Sequence, residues 1–254
     1  MATRGLLMAA NYTGTQHELQ GCVNDAENLR DFLTSTGRIS AGNLTLIKEP
    51  TAAQMVQALE SLAEESHQKQ VDHVFISFSG HGTSMADRDG DEADGQDEAL
   101  VPVDFRTSGM VTDDQLCKII ANFDPTTNIS ILFDCCHSGT ALDLPYRFTG
   151  CASTKYCGSG SRSHPRTVMI SGCMDAQTSA DAYDVDRREY SGAMTSSILD
   201  VLDVEPTIGF DAFGLVTAMR VLLKERNMSQ VPQLCVSRDC SECPMPVFFP
   251  PPQE

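Results

Sequence analysis

The stretch that decides the fold is Asn128–Gly139, with the sequence NISILFDCCHSG. An apolar run from Ile129 to Phe133 has the length and branched side chains of a strand buried on both faces. The run ends abruptly in small, polar and reactive residues. Such residues directly after a buried strand lie at its carboxyl end, where open α/β sheets bind their ligands. The stretch therefore predicts a functional site at the carboxyl edge of a largely parallel sheet.

A second stretch, Val71–Gly82, has the same design. Its sequence, VDHVFISFSGHG, contains an apolar run followed by Ser, Gly, His and Gly. One strand end thus offers a His and the other a Cys, and a thiol needs a base or a cationic neighbour to ionise near pH 7. We interpret the pair of strand ends as the active site of a cysteine peptidase. The alternative is that His81 only satisfies local hydrogen bonds, which is the commoner role of a lone histidine.

Length and composition are those of an ordinary globular chain. Its 254 residues are 41% hydrophobic and 21% charged, which is enough apolar material for a substantial core. No apolar run approaches the ~18 residues of a membrane-spanning helix, and the N-terminus lacks a secretory apolar segment, so we expect a cytoplasmic protein. The net charge of −17 argues against nucleic acid and anionic membranes as partners and favours cations or basic peptides.

Strand and helix signals alternate along the chain. Strands are predicted near residues 5–10, 44–48, 74–78, 129–133, 166–171 and 233–236. Helices are predicted from residue 24, after Thr51, from Thr112, and near residues 192–203 and 211–226. Residues 83–102 and 140–165, an acidic stretch after 171 and the C-terminal tail are expected to be irregular. The alternation predicts an α/β fold with a mainly parallel central sheet of about six or more strands and helices on both faces.

Five motifs carry a resemblance to a known family. They are SGHG at 79–82, DCCHSG at 134–139, GCVND at 21–25, VPVDF at 101–105 and DAQTSAD at 175–181. In this order they resemble the metacaspases, a branch of the caspase-like cysteine peptidases, and the likeness covers nearly the whole chain. His81 precedes Cys136 by 55 positions, close to the ~50 that separate the two in caspases. The caspase pentapeptide Gln-Ala-Cys-x-Gly is absent, and DCCHSG stands in its place.

The resemblance implies a single caspase-like domain over residues 1–254. The chain resembles the type I form of the family without an N-terminal prodomain. Residues 1–143 would form the large-subunit-like part and residues 166–254 the small-subunit-like part. Residues 144–165 between them are the candidate processing loop.

The same resemblance assigns the catalytic roles. Cys136 would be the nucleophile and His81 the general base and acid, with the backbone N–H groups of Gly82 and Cys136 as the oxyanion hole. Chemistry alone does not choose between Cys135 and Cys136. The resemblance selects Cys136 and leaves Cys135 without a role.

Specificity is implied by four matching positions. Metacaspases bind Arg or Lys in an acidic pocket, which corresponds here to Cys22, Asp25, Ser79 and Asp134. Two carboxylates can bind a guanidinium through charge-assisted hydrogen bonds. Alternatively, Asp25 is an acid in the first turn of a helix, where the helix dipole favours it. The two roles are compatible.

Residues 87–98 hold seven acidic residues and one Arg. Such a run is usually a solvated loop, and its spacing is not that of an EF-hand. Several metacaspases require calcium, however. By motif the calcium ligands would be Asp97, Asp113, Asp114 and Asp143, whose carboxylate oxygens suit this ion. We therefore expect Ca²⁺ as a cofactor.

Residues 144–174 contain no acid but carry Arg147, Lys155, Arg162 and Arg166. In a peptidase specific for Arg or Lys, this stretch is a candidate site of self-cleavage at those four residues. The alternative is an ordinary loop that leads into a strand.

The predicted activity is therefore that of a calcium-dependent cysteine endopeptidase. It would cleave protein or peptide substrates after Arg or Lys through a Cys–His dyad, and the resemblance implies a monomer. A different class remains open, namely a catalytically silent caspase-like scaffold or a calcium-responsive interaction module. A thiol-redox protein is a third and weaker alternative, because it rests on the ten cysteines alone.

Overall fold

A computed structural model describes residues 1–86, 96–135, 142–150, 153–156, 165–172, 181–184, 189–204, 211–228, 230–239 and 247–253. The strands in these ranges are β1 (Thr3–Ala9), β2 (Leu44–Lys48), β3 (His73–Ser79), β4 (Gly82–Ala86), β5 (Gln96–Leu100), β6 (Val111–Thr112), β7 (Asn128–Asp134), β8 (Tyr146–Gly150), β9 (Ser153–Tyr156), β10 (Arg166–Ser171), β11 (Asp181–Asp184), β12 (Glu189–Gly192) and β13 (Gln233–Val236). The α-helices are α1 (Cys22–Ser35), α2 (Ala52–Lys69), α3 (Phe105–Ser108), α4 (Asp113–Ala121), α5 (Ala193–Val204) and α6 (Ala212–Glu225).

The central sheet has eight strands in the order β2-β1-β3-β7-β10-β13-β8-β9. The first five are parallel to one another, and the last three join by antiparallel pairing. This arrangement confirms the predicted α/β class with a mainly parallel sheet. A three-stranded sheet, β4-β5-β6, and a two-stranded sheet, β11-β12, lie outside it.

Each face of the central sheet has its own apolar core. Phe75 and Leu132 lie on one face, in a core shared with α1, α5 and α6. Ile76 and Ile131 lie on the other, in a core shared with α2 and α4. Neighbouring residues of one strand thus belong to different cores, because side chains alternate across a sheet. Helices cover both faces, as predicted.

The predicted helix starts at Thr51 and Thr112 are confirmed. Thr51 accepts the N–H of Gln54 and forms a capping box with it. Thr112 accepts the N–H of Gln115 at the start of α4. Among the helices described, none is both long and apolar enough to cross a lipid bilayer.

Three regions that the sequence predicts as irregular contain strands. Residues 83–102 include most of β4 and all of β5, residues 140–165 include β8 and β9, and the acidic stretch after 171 includes β11 and β12. All six strands have four or five residues and belong to antiparallel hairpins. They lack the apolar runs that mark the central strands, so cross-strand pairing and not local sequence defines them.

The C-terminal segment 247–253 has no helix or strand, as predicted, yet it is part of the core. Phe248 and Phe249 are fully buried. The ring of Phe249 stacks on Phe75 at 5.2 Å and meets Phe32 of α1 at 5.5 Å. Arg38 donates from Nη1 to the carbonyl of Pro250 at 2.9 Å. The tail therefore closes the α1 face of the sheet.

We predict that Phe249→Ala lowers the free energy of unfolding by about 3–5 kcal/mol, because it leaves a cavity between Phe75 and Phe32. Urea denaturation followed by circular dichroism measures the loss. Val247→Ala is the matched control, since Val247 is 42% exposed and should change stability by no more than about 0.5 kcal/mol. Equal losses in the two variants would contradict a core role for the tail.

Candidate active site

The carboxyl ends of β3 and β7 meet at one edge of the sheet. The two strands pair in register, with Ser79 opposite Asp134. The N–H of Gly80 donates to the carbonyl of Asp134 at 3.3 Å, so the contact continues past the end of β3. The structure thus brings the SGHG motif and the start of the DCCHSG motif together. Cys136 itself lies outside the described residues.

Asp25, Ser79 and Asp134 form one polar group on the α1 face. Asp25 lies in the first turn of α1, and Ser79 Oγ donates to Asp25 Oδ2 at 2.9 Å. Asp134 is the direct cross-strand neighbour of Ser79 on the same face. All three are buried. Two carboxylates from separate elements therefore lie on either side of one small region at the strand ends.

Cys22 belongs to the same region. It is the first residue of α1, three positions before Asp25, and residues at this spacing share a helix face. Its side chain is buried in the core on the α1 face. The structure therefore groups all four predicted substrate-binding positions at the junction of α1 with β3 and β7.

Asp134 is held by a contact that the sequence does not reveal. Both the N–H and the Oγ1 of Thr195, near the start of α5, donate to Asp134 Oδ2 at 3.0 Å. The first N–H groups of a helix have no intrahelical acceptor, so this carboxylate fills that role. A Cβ on Gly172 would come within 3.4 Å of Asp134 Oδ1 and 3.1 Å of Gln230 Nε2. The absence of a side chain at Gly172 thus keeps space beside the carboxylate.

Burial makes these carboxylates unusual. Asp25 is 2% exposed and Asp134 is 4% exposed. Removing an ionised carboxylate from water costs several kcal/mol unless hydrogen bonds or an opposite charge offset the cost. Hydrogen bonds from Ser79 and Thr195 offset part of this cost.

The imidazole of His81 is oriented by a main-chain carbonyl. His81 Nε2 lies 2.9 Å from the carbonyl oxygen of His17. Since a carbonyl oxygen can only accept, Nε2 carries the proton in the neutral ring and Nδ1 keeps its lone pair. The ring of Tyr12 lies 4.8 Å from the imidazole on another side. Nδ1 is thereby left as the nitrogen that could take a proton from a thiol.

The predicted oxyanion hole is only partly described. Gly82 follows His81 directly and is the first residue of β4, opposite Leu100. Its predicted partner, the N–H of Cys136, lies outside the described residues.

Cys135 has a structural role that the sequence leaves open. It follows Asp134 and faces the opposite side of the sheet, in the core that also contains Phe133, Leu142 and Cys235. Its side chain is 0% exposed. A thiol enclosed in this way cannot reach a substrate and behaves as a small apolar residue. The burial of Cys135 therefore disfavours it as the nucleophile.

Two of the predicted calcium ligands, Asp113 and Asp114, lie in the first turn of α4, and Asp97 and Asp143 influence the pKa of Asp113. The pKa of Asp113 is raised to about 6, first by burial and then by the charges of Asp143 and Asp97, while hydrogen bonds from the N–H groups of Glu98 and Asp114 oppose the rise. Those two bonds are 2.7 and 2.8 Å long. The carboxylates are thus close enough to repel one another.

Cys117 and Lys118 also border this acidic cluster. Burial raises the pKa of the Cys117 thiol, and so do the charges of Asp143, Asp113 and Asp114. Lys118 forms an ion pair with Asp114 at 3.0 Å. Within the described ranges, no three His, Cys, Asp or Glu side chains already converge as a metal site. The donors suit calcium in kind, and the cluster holds excess negative charge.

The four candidate self-cleavage residues lie in different settings. Arg147 is in β8 and pairs with Lys155 in β9 and with Cys235 in β13. Arg166 begins β10. Arg162 lies outside the described residues. The expectation that residues 140–165 are irregular is therefore wrong at β8 and β9, which extend the central sheet at its edge.

Comparison with known proteins places these features in a family. A family model described as the metacaspase, peptidase C14 domain matches residues 3–145. Metacaspase-1 of Saccharomyces cerevisiae is 30% identical over 292 positions, which cover 92% of this chain and 66% of that protein. Metacaspase-1B of Aspergillus terreus is 30% identical over 289 positions, which cover 92% of this chain and 75% of that protein. The chain thus spans slightly less than two thirds of the yeast relative.

The fold also matches a solved structure. A crystal structure of a protein from Geobacter sulfurreducens superposes with a TM-score of 0.68 at 23% identity. The match covers 98% of this chain and 97% of the other. The two chains therefore share one arrangement of strands and helices.

Proposed function

The chain belongs to the metacaspase family of cysteine peptidases, and on this premise we propose that it is an endopeptidase that cleaves after Arg or Lys. The observation that carries the specificity is the pair of buried carboxylates, Asp25 and Asp134, on either side of Ser79. His81 follows Ser79 by two residues, and Cys136 follows Asp134 by two. The acidic pocket therefore adjoins the proposed catalytic pair.

A guanidinium or ammonium group would enter the pocket between the two carboxylates. Ser79 orients Asp25, and Thr195 orients Asp134, so both acceptors are fixed before a substrate binds. Charge-assisted hydrogen bonds to a fixed carboxylate are about twice as strong as neutral ones. The incoming cation also offsets the cost of burying two negative charges. An acidic side chain would meet repulsion instead.

The proposed reaction is acyl transfer to a thiolate. Cys136 gives its proton to His81 Nδ1, and the thiolate attacks the carbonyl carbon of the Arg or Lys residue. The N–H groups of Gly82 and Cys136 would stabilise the oxyanion. His81 then protonates the leaving amine, and a thioester remains. Water, with His81 as base, attacks the thioester and releases the new carboxyl group.

We expect the native chain to hydrolyse fluorogenic peptides that end in Arg or Lys and to leave Asp-ended peptides intact. Cys136→Ala should abolish the hydrolysis, because the nucleophile is absent. Fluorescence release with and without calcium measures both. Preference for Asp would overturn the pocket, and activity in Cys136→Ala would overturn the nucleophile. Absence of all hydrolysis by the native chain would favour a catalytically silent scaffold.

Asp25→Asn tests the pocket within the same assay. It keeps the shape of the side chain but removes one charge, so kcat/KM for Arg peptides should fall about tenfold to a hundredfold. Asp31→Asn is the matched control, because Asp31 lies on the same helix but its side chain is 68% exposed. It should retain the native kcat/KM.

We further propose that calcium binds the acidic cluster of Asp97, Asp113, Asp114 and Asp143. The support is the raised pKa of Asp113, which is caused first by burial and then by the charges of Asp143 and Asp97, because a hard cation with oxygen ligands would offset both effects. The ion would supply fixed positive charge beside the β4–β5 hairpin. Asp113 would be its most buried ligand.

Calcium should raise the thermal unfolding midpoint of the native chain, because ligand at 100 times its dissociation constant stabilises by about 2.7 kcal/mol. Asp113→Ala combined with Asp114→Ala should remove this calcium-dependent shift, whatever its effect on the metal-free midpoint. Asp31→Ala should keep it. Scanning calorimetry with calcium and with chelator measures the three shifts. If a chelator changes neither the unfolding midpoint nor the activity of the native chain, calcium is excluded as a ligand.

Self-cleavage is proposed at Arg162. The other three candidates lie in strands, where a paired backbone is a poor substrate for a peptidase. We expect mass spectrometry of calcium-treated protein to find a new C-terminus at Arg162, with none in Cys136→Ala. An active enzyme that remains uncut between residues 144 and 166 would refute self-processing there.

A further inference from the structure

The hydroxyl of Tyr12 bridges two segments that meet at His81. It accepts the backbone N–H of His81 at 2.9 Å and donates to the carbonyl of Val101 at 2.6 Å. The N–H of Val101 in turn donates to the carbonyl of His81 at 3.1 Å. The backbone of His81 is therefore held at both its N–H and its C=O. One phenol supplies half of this restraint.

The direction of these bonds is fixed by the partners, because the N–H of His81 can only donate and the carbonyl oxygen of Val101 can only accept. Tyr12 is 2% exposed, and burial raises the pKa of its phenol well above its ordinary value. The hydroxyl consequently keeps its proton and can donate to Val101 while it accepts from His81. The ring itself lies 4.8 Å from the imidazole, so the same residue contacts both the backbone and the side chain of His81.

Tyr12 is held in a costly conformation. Its φ is 53°, in the left-handed region that a bulky residue seldom adopts. Glu49 accepts the N–H groups of Asn11 and Tyr12 at 3.0 Å each. Thr15 donates to the Tyr12 carbonyl from both its N–H and its hydroxyl, at 3.1 and 2.8 Å. Strain that neighbours hold in place is typical of functional sites.

Gly80 leaves the space that the phenol uses. A Cβ at this position would lie 2.9 Å from the Tyr12 hydroxyl and 2.8 Å from the ring of Phe78. Only glycine therefore allows the phenol to reach the backbone of His81.

The geometry points to Tyr12 as a positioning residue for the catalytic imidazole, fixing where His81 presents Nδ1 to the thiol. The catalytic part of this inference rests on the proposed function, whereas the contacts between Tyr12 and His81 do not depend on it. The alternative is a buried tyrosine whose hydroxyl only satisfies two main-chain groups. The alternative predicts a loss of stability without a specific loss of turnover.

Tyr12→Phe tests the inference because it keeps the ring and removes both hydrogen bonds. We expect kcat for an Arg peptide to fall about tenfold to a hundredfold with KM within about twofold of native, since a displacement of ~1 Å at a reacting group costs rate by about that factor. We also expect the His81 imidazole signal to shift in a proton–carbon NMR spectrum. The kcat and the His81 signal of the variant are compared with those of the native chain under conditions in which the same fraction of each chain is folded.

Ser66→Ala is the matched control. Ser66 Oγ is fully buried, donates to the carbonyl of Ala63 at 2.6 Å and accepts the N–H of Asp124 at 2.9 Å. The Ser66→Ala variant therefore loses the same two kinds of hydrogen bond. The loss occurs in the last turns of α2, close to the start of β3. The kcat and the His81 signal of this variant should equal those of the native chain.

Equal losses of kcat in Tyr12→Phe and Ser66→Ala, or a Tyr12→Phe chain with native kcat and an unshifted His81 signal, would overturn the inference. If the native chain cleaves no Arg or Lys peptide, the proposed function fails separately. The His81 signal then still decides whether Tyr12 positions the ring.

Discussion

The in-register pairing of β3 with β7 is the constraint on which the site depends. Both strands are buried on both faces, and side chains alternate along them, so a slip of one residue would exchange the two cores. The apolar residues therefore allow one register. That register places Ser79 beside Asp134 and brings the residues that follow each strand to the same edge of the sheet. Packing energy, distributed over the whole interface, thus sets the geometry of the site.

The same alternation gives neighbouring residues different roles. Asp134 faces α1 and meets Thr195, whereas Cys135 faces the opposite core and is closed off from solvent. Asp25 completes the pocket because the first turn of α1 lies over the end of β3. The two carboxylates thus come from α1 and β7, and their hydrogen-bond donors Ser79 and Thr195 come from β3 and α5.

The sequence predicts well those strands that a local pattern of residues specifies. The bounds of Leu44–Lys48, Arg166–Ser171 and Gln233–Val236 agree with the prediction to the residue. The last two are buried strands marked by short apolar runs, whereas Leu44–Lys48 is a partly exposed strand at the edge of the sheet. The short hairpin strands β4, β5, β8 and β9 carry no such run, so they are recognisable only from their partners. The same holds for single contacts. Thr195 meets Asp134 across 61 positions and Tyr12 meets His81 across 69, distances at which no local pattern identifies a partner.

The acidic cluster and His81 are joined by the β4–β5 hairpin. β4 begins at Gly82, directly after His81, and β5 carries Asp97 and ends at Leu100. The N–H of Glu98 in β5 donates to Asp113, and the N–H of Val101 just beyond it donates to His81. These two N–H groups lie three residues apart on one short segment, so the acidic residues at the start of α4 and the backbone of His81 are held by the same piece of chain.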